Sequence, residues 1–272
     1  MPEKITLELG DIQKTLLLPL WGRAIETQKK KPFLIDKTAL SIIQSIPYDF
    51  TTITQNISKI SQVSWIARSI YFDEKIVAFI DQYPEATIIN VGCGLDTTFD
   101  RIDNGKLHWF DLDLPDVIQL RKIYISETER RRFISASVFD KNWFRYITNK
   151  KQLMFMFAGV LYYFKEKDIR ELFSRFLNHF PGVEIIFDYS SNRGVKLANK
   201  MVIKRGGMDE SANLIWGIDN ISDLEKWNIG IKVLDTIPMF REFKKNYPIY
   251  KRFEMTISDI LRIMSLAHIR IG

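Results

Sequence analysis

Two glycines spaced by one residue and followed by an acid make the stretch of this chain best suited to cradle a polar ligand: Gly92, Gly94 and Asp96 in the run NVGCGLD at 90–96. The mostly apolar run TIINV at 87–91 leads straight into it. A strand that must turn at once against a ligand needs residues without a side chain, and such a turn can receive a nucleotide-like molecule. Asp113 follows Gly94 by 19 residues, near the end of the next apolar run, where a carboxylate can accept hydrogen bonds from ribose hydroxyls. Asp111, two residues back and therefore on the same strand face, is the alternate candidate. After a third run, SASVFD at 135–140 offers Val138 and Phe139 to the adenine ring and Asp140 to its exocyclic amino group; a helix cap is the competing reading of Asp140. The third glycine of a GxGxxG motif is missing, which disfavours a pyrophosphate-bridged dinucleotide and with it a dehydrogenase.

These residues need a scaffold that brings strand ends together. From about residue 86 onward, strand-length apolar runs at 87–91, 107–110, 133–136, 153–157, 183–187 and 231–237 alternate with helical stretches at 117–130, 143–148 and 165–180. Such repeated crossovers predict a parallel sheet covered on both faces. In the 165–180 stretch Ile169, Leu172, Phe173, Phe176 and Leu177 recur at helical spacing, and Pro181-Gly182 stops the helix before the next strand. Ahead of residue 83 the chain reads as helical: 11–18 ending before Pro19, 38–46 ending before Pro47, and 57–80 as one or two helices. Glycine-rich, polar sequence at 190–219 predicts a loop-and-helix cover. The C-terminal part predicts a helix over 255–265 and a last strand over 268–271.

Composition narrows the classes. With 46% hydrophobic and 26% charged residues among 272, the chain is globular, and no run approaches the 18 apolar residues of a membrane span. The single Cys93 forbids an internal disulfide and a cysteine zinc site, and the three histidines are scattered, so no metal is expected. With no signal-like start, the expectation is a cytoplasmic protein. The net charge of +6 lies in short runs such as Lys29–Lys31 and Arg130–Arg132, without interleaved stacking aromatics. The expectation is therefore no nucleic-acid partner and no membrane partner. Nothing fixes an oligomeric state.

Read together, KTLLLPLWGRA at 14–24, WIARS at 65–69, TIINVGCGLDTTFDR at 87–101, WFDLDLPDVIQLR at 109–121, SVFD at 137–140, AGVLYYF at 158–164 and FPGVEIIFD at 180–188 resemble the S-adenosylmethionine-dependent carboxyl O-methyltransferases related to leucine carboxyl methyltransferase and the polyketide-biosynthesis methyltransferases. The resemblance implies an α/β class I methyltransferase fold: a Rossmann-like, mostly parallel sheet with helices on both faces. It implies an N-terminal helical cap over 1–83 and a cofactor-binding core over 84–272, with the cover inserted around 190–222. The implied cofactor is S-adenosylmethionine, with Gly92 and Gly94 at its methionyl part, Asp113 at the ribose, Asp140 at the adenine, and Arg68 near its carboxylate and the acceptor. Lys14 and Arg23 would belong to the N-terminal cover. The chain departs from the family pattern where DTR becomes Asp96-Thr97-Thr98, and where an acid before Gly159 becomes Ala158. The implied reaction is methyl transfer to an oxygen, with a carboxylate of a small molecule or exposed peptide terminus as the expected acceptor. A carboxylate is already ionised at neutral pH, so the lack of a histidine base is no obstacle. Arg68, Arg23 or Lys14 could hold that anion, and Tyr162 and Tyr163 could shape the pocket or simply pack. A noncatalytic S-adenosylmethionine-binding regulatory module is the alternative.

Overall fold

Five apolar runs pair side by side as the parallel strands β1 (Thr87–Val91), β2 (His108–Asp113), β3 (Arg131–Ser135), β4 (Leu153–Phe157) and β5 (Val183–Ser190). The sheet is completed by β6 (Ile231–Pro238) and β7 (Met264–Ile271), with β7 running antiparallel between β5 and β6. The order is β3-β2-β1-β4-β5-β7-β6. The computed structural model describes residues 16–46, 50, 58–148, 152–200 and 213–272.

Every residue of β1, β4 and β5 is buried, as expected of strands covered on both faces. The two-residue period of a strand divides them between two cores. Ile89, Val91, Phe155, Phe157, Ile185 and Phe187 face one core with Ile169, Leu172, Phe173 and Phe176 of the helix at Glu166–His179. On the other face Ile88, Met154, Met156 and Ile186 meet Phe72, Ile76, Phe79 and Ile80 of the 24-residue helix at Lys59–Gln82. Phe176 stacks on Phe155 with ring centroids 4.2 Å apart. Fully burying one such side chain contributes about 1.5–3 kcal/mol.

In chain order the α-helices among the described residues are α1 (Leu17–Thr27), α2 (Lys37–Ser45), α3 (Lys59–Gln82), α4 (Thr98–Ile102), α5 (Pro115–Tyr124), α6 (Glu166–His179), α7 (Asn192–Ala198) and α8 (Ile249–Ile260). Caps explain several starts: the Asp36 carboxylate accepts the Ala39 amide at the head of α2, and the Ser58 hydroxyl accepts the Ser61 amide at the head of α3.

Four boundaries correct the sequence expectations. Pro19 sits in the first turn of α1 instead of ending a helix at 11–18, because there its missing N–H costs nothing; residues 11–15 lie outside the described residues. The helix expected over 117–130 ends at Tyr124, and a loop closed by hydrogen bonds between Thr128 and Arg131 leads into β3, which begins two residues before the expected 133. The stretch 143–148 is a 3-10 helix at Lys141–Tyr146. Helix α8 occupies Ile249–Ile260 rather than 255–265, and β7 takes Met264 onward. Arg262, with a φ of 47°, turns the chain between them.

The strand order reverses between β1 and β4, so the loops leaving their carboxyl ends diverge and leave a crevice there. That crevice is where the glycines found in the sequence lie.

Candidate functional site

A cavity of about 410 Å³ opens at the carboxyl ends of β1, β2, β3 and β4, within the size range of small-molecule sites. Its floor is the turn after β1. Gly92 and Gly94 both hold positive φ, 63° and 47°, where a side chain is unfavourable. A Cβ on Gly92 would also sit 2.5 Å from Val160 Cγ2. The two glycines thus put bare backbone at the cavity wall.

Asp113 ends β2 at the wall with its carboxylate fixed: Oδ2 accepts the Gly94 amide at 2.8 Å and Oδ1 the Leu114 amide at 2.8 Å. Each oxygen keeps a lone pair for a hydroxyl donor. Burial pushes the Asp113 pKa up, only partly opposed by those two amides. Val138 lines the same wall with Ala136 and Ser137, while Phe139 stands behind it, its ring 4.8 Å from that of the wall residue Phe164.

The opposite wall is built around a residue that the sequence showed only as the acid at the tip of a strand. Asp188 of β5 is fully buried, and its carboxylate accepts Arg68 Nη1 at 2.8 Å, the Tyr162 hydroxyl at 3.0 Å and the Gly159 amide at 2.6 Å. Arg68, Gly159 and Tyr162 all line the cavity, together with Tyr163, Trp65 and Met264. Gly159 has a φ of 79°, and a Cβ there would come within 2.7 Å of Arg68 Nη1. Burial alone would lower the Arg68 pKa, but Asp188 and Tyr162 outweigh it and hold the guanidinium above its ordinary range. The Tyr162 phenol is pushed well up by burial and then by Asp188, so it stays a donor. The contacts described for Arg68 use Nη1, leaving its Nε and Nη2 donors for a ligand. Among the described residues that line the cavity it is the one lysine or arginine.

Other candidates fall elsewhere. Asp111 is fully buried beneath the site: Arg121 Nη2 reaches it at 2.7 Å, Arg131 Nε at 3.3 Å, Trp109 Nε1 at 2.8 Å and Asn90 Nδ2 at 3.1 Å. With its acceptor positions taken, it fixes β1, β2 and β3 to α5 and does not reach the cavity. Asp140 is exposed, lies outside the cavity lining and caps the 3-10 helix by accepting the Asn142 amide at 2.8 Å, the geometry of the cap reading. Asp96 accepts the Thr98 amide at 2.9 Å behind the glycine turn, outside the cavity lining. Burial pushes its carboxyl up, yet Arg23, Arg101 and that amide more than offset this and hold it below the usual range. Arg23 is buried against Asp36 at 2.8 Å and the Leu95 carbonyl at 3.2 Å, so it anchors α1 and does not face the cavity. Lys14 lies outside the described residues.

The two departures separate in the same way. Thr98 accepts Arg101 Nη2 at 2.9 Å behind the turn, whereas Ala158 lines the cavity beside Gly159. Trp216 and Trp227 are buried in the α6 core. Of the expected cover at 190–222, Ala198 and Leu214 line the cavity, and 201–212 lie outside the described residues. Among the described residues no group of His, Cys, Asp or Glu could hold a metal ion.

Comparison with known proteins places this geometry in context. The family model for leucine carboxyl methyltransferase matches residues 17–177. The chain is 30% identical over 228 residues to the tetracenomycin polyketide synthesis O-methyltransferase TcmP of Streptomyces glaucescens, covering 84% of this chain and 83% of that protein. It is 26% identical to the S-adenosyl-L-methionine-dependent methyltransferase dpfgK of Gibberella zeae, covering 96% and 94%. Among solved structures, one of a Thermobifida fusca protein assigned as a methyltransferase superposes with a TM-score of 0.57 at 12% identity, covering 100% of this chain and 97% of that one, a likeness of fold.

Proposed function

We propose that this chain, which belongs to the leucine carboxyl methyltransferase family, transfers the methyl group of S-adenosylmethionine to a carboxylate oxygen of a small, largely apolar molecule. Both relatives are named as methyltransferases, one of them as an O-methyltransferase and the other as S-adenosylmethionine-dependent. The observation that carries the reading is a cavity bounded by a side-chain-free turn, a tethered carboxylate at the end of β2 and, among the described residues that line it, a single cation.

The residues fit the cofactor. Gly92 and Gly94 would let it approach the backbone, Asp113 has acceptor capacity for ribose hydroxyls, Val138 would offer an apolar wall for the adenine, and Arg68 would meet its carboxylate. When bound, S-adenosylmethionine supplies a methyl group already activated by its sulfonium. The protein's part is alignment and exclusion of water, which together supply much of the rate of such transfers. Leu16, Leu18, Pro19, Trp65 and Leu214 make the remaining wall apolar. Asp188 holds Arg68 and Tyr162 in place: the Tyr162 proton is committed to Asp188, and the remaining Arg68 donors are fixed before a ligand arrives. Because a carboxylate acceptor is ionised near neutral pH, no side chain needs to remove a proton.

The test is a screen of purified aromatic and aliphatic acids and phenols with methyl-labelled S-adenosylmethionine, followed by mild base. A carboxyl methyl ester releases volatile labelled methanol; a phenol ether does not. Base-stable product alone would overturn the carboxylate acceptor, and saturable cofactor binding without transfer to any acceptor would favour the regulatory module.

A further inference from the structure

Helix α8 is amphipathic in the inverted sense. At about 100° per residue, Ile249, Tyr250, Phe253, Ile257, Ile260 and Leu261 fall within roughly one third of a turn, and buried Met255 lies on the opposite side. The apolar stripe therefore points to solvent: Ile249 is 83% exposed, Phe253 67% and Ile260 74%. Scattered exposed apolar residues are ordinary, but a stripe along one helix marks an interaction surface. Around it lie basic side chains. Lys245, Arg252 and Arg262 are exposed, and Lys251 sits over the Tyr247 ring. Tyr247 and Phe243 in turn pack against Phe33, which extends the apolar surface to the loop carrying Lys29, Lys30 and Lys31, all exposed. Glu242 and Glu254 are the exposed acids in this segment, outnumbered by the bases.

We infer that the outward face of α8 docks this protein on an anionic lipid surface. An apolar stripe with Arg252 towards one flank and Glu254 on the other, in a surround where exposed lysines and arginines outnumber acids, on a helix packed against its own domain, has the composition of an in-plane interfacial helix. The basic rim supplies attraction to anionic headgroups while Ile249, Phe253 and Ile260 enter the acyl boundary. A second copy is the poorer occupant, because two-fold pairing of one patch with itself sets basic rim against basic rim. No described helix is long and apolar enough to cross a membrane, so the contact is peripheral, and the expectation of no membrane partner gives way to a surface-bound one. Met264, three residues after Leu261, lines the cavity, so docking would bring the site close to a phase that dissolves apolar acceptors.

The experiment is vesicle flotation of the full chain with phosphatidylcholine alone and with added phosphatidylserine, at low and high salt. Wild type should float with the anionic vesicles and be released as salt rises. Phe253→Glu combined with Ile260→Glu, both at exposed positions, should lower the partition coefficient by at least about tenfold while cofactor affinity and thermal unfolding stay unchanged. Equal flotation of wild type and variant overturns the assignment, as does no flotation with either vesicle. A concentration-dependent dimer in sedimentation that the double variant abolishes, without flotation, would hand the face to a second copy. Lysate capture of an acidic protein without flotation would likewise overturn the lipid assignment.

Discussion

Replacing Asp188 by asparagine tests whether one buried acid organises the ligand wall. The native carboxylate takes three donors, Arg68 Nη1 at 2.8 Å, the Tyr162 hydroxyl at 3.0 Å and the Gly159 amide at 2.6 Å, with no access to water. An asparagine has one acceptor oxygen. If that oxygen stays on Gly159, the new NH2 group points at Arg68 and Tyr162, donor against donor; the flipped amide abandons Gly159 instead. Leaving a buried cation without its partner costs about 3–5 kcal/mol, and partial relaxation of Arg68 into the cavity should bring the loss to roughly 2–4 kcal/mol. In urea unfolding this is a midpoint shift on the order of 1 M at unchanged slope. Calorimetric titration with S-adenosylmethionine should show affinity lower by at least about tenfold, since Arg68 is no longer held. A second pair of changes separates the two effects. Arg68→Met with Asp188→Leu removes both charges and should regain most of the stability, while cofactor binding stays lost. The reasoning fails if Asp188→Asn shifts stability by less than about 0.5 kcal/mol, or if the apolar double variant binds cofactor as wild type does.

Gly92→Ala should destabilise by about 1–2 kcal/mol from its positive φ, plus the displacement of Val160 Cγ2 from a new Cβ only 2.5 Å away; Val160→Ala should recover the second part but not the first, as a double-mutant cycle in urea would show. Asp113 must be ionised to accept two ribose donors, and burial raises its pKa, so affinity for the demethylated cofactor should fall as pH drops through a midpoint above the ordinary aspartate range, a dependence that Asp113→Asn abolishes in calorimetry. The sign for stability is opposite: a folded pKa above the unfolded one means this group's contribution is fully present below the unfolded pKa and is lost as pH rises through the folded one. Ala158→Glu adds an acid to the cavity wall where Arg68 is already paired, so it should strengthen binding of the cofactor, whose methionyl amine is cationic, by about five- to tenfold; unchanged or weaker binding counts against a methionyl group at that wall.

How far the sequence reached depended on what each signal measures. Strand positions were legible because β1, β4 and β5 are buried on both faces and must be continuously apolar. Alternation by two reports a face but not a depth, and for that reason Asp111 and Asp113 looked interchangeable. One lies under the sheet end among Arg121 and Arg131, the other at its rim. Asp140 followed a strand as a ligand residue would, yet a short polar side chain before a helical turn serves equally well as a cap, and here it does. Asp188 was overlooked as a site residue because its partners lie 120, 29 and 26 positions away, a convergence created by α3, β4 and β5 folding together. The start of α8 was misplaced because its apolar residues face outward, so the periodicity that normally marks a core face marked a surface instead.

The same long-range pairing decides what the N-terminal helices can do. Asp36, between α1 and α2, is buried and takes Arg23 Nε at 2.8 Å, Thr97 Oγ1 at 2.5 Å and Arg101 Nη1 at 2.7 Å. Arg101 also forks onto both oxygens of Asp73 in α3, at 2.7 and 2.8 Å, and Arg23 Nη2 reaches the Leu95 carbonyl inside the glycine turn at 3.2 Å. Swinging α1 off the site would break the Arg23 contacts with Asp36 and the Leu95 carbonyl, while Arg101 would keep Asp73, and would strand buried charges at about 3–5 kcal/mol for each partner lost. That is a large share of a typical folding free energy of 5–15 kcal/mol. Leu18 and Pro19 ride on this anchored helix, so from Leu17 onward the N-terminal side of the cavity is a wall and not a gate. The charges that the sequence offered as ligand holders, buried Arg23 and partly buried Asp96, lie outside the cavity lining, where they fix the turn that Gly92 and Gly94 leave bare.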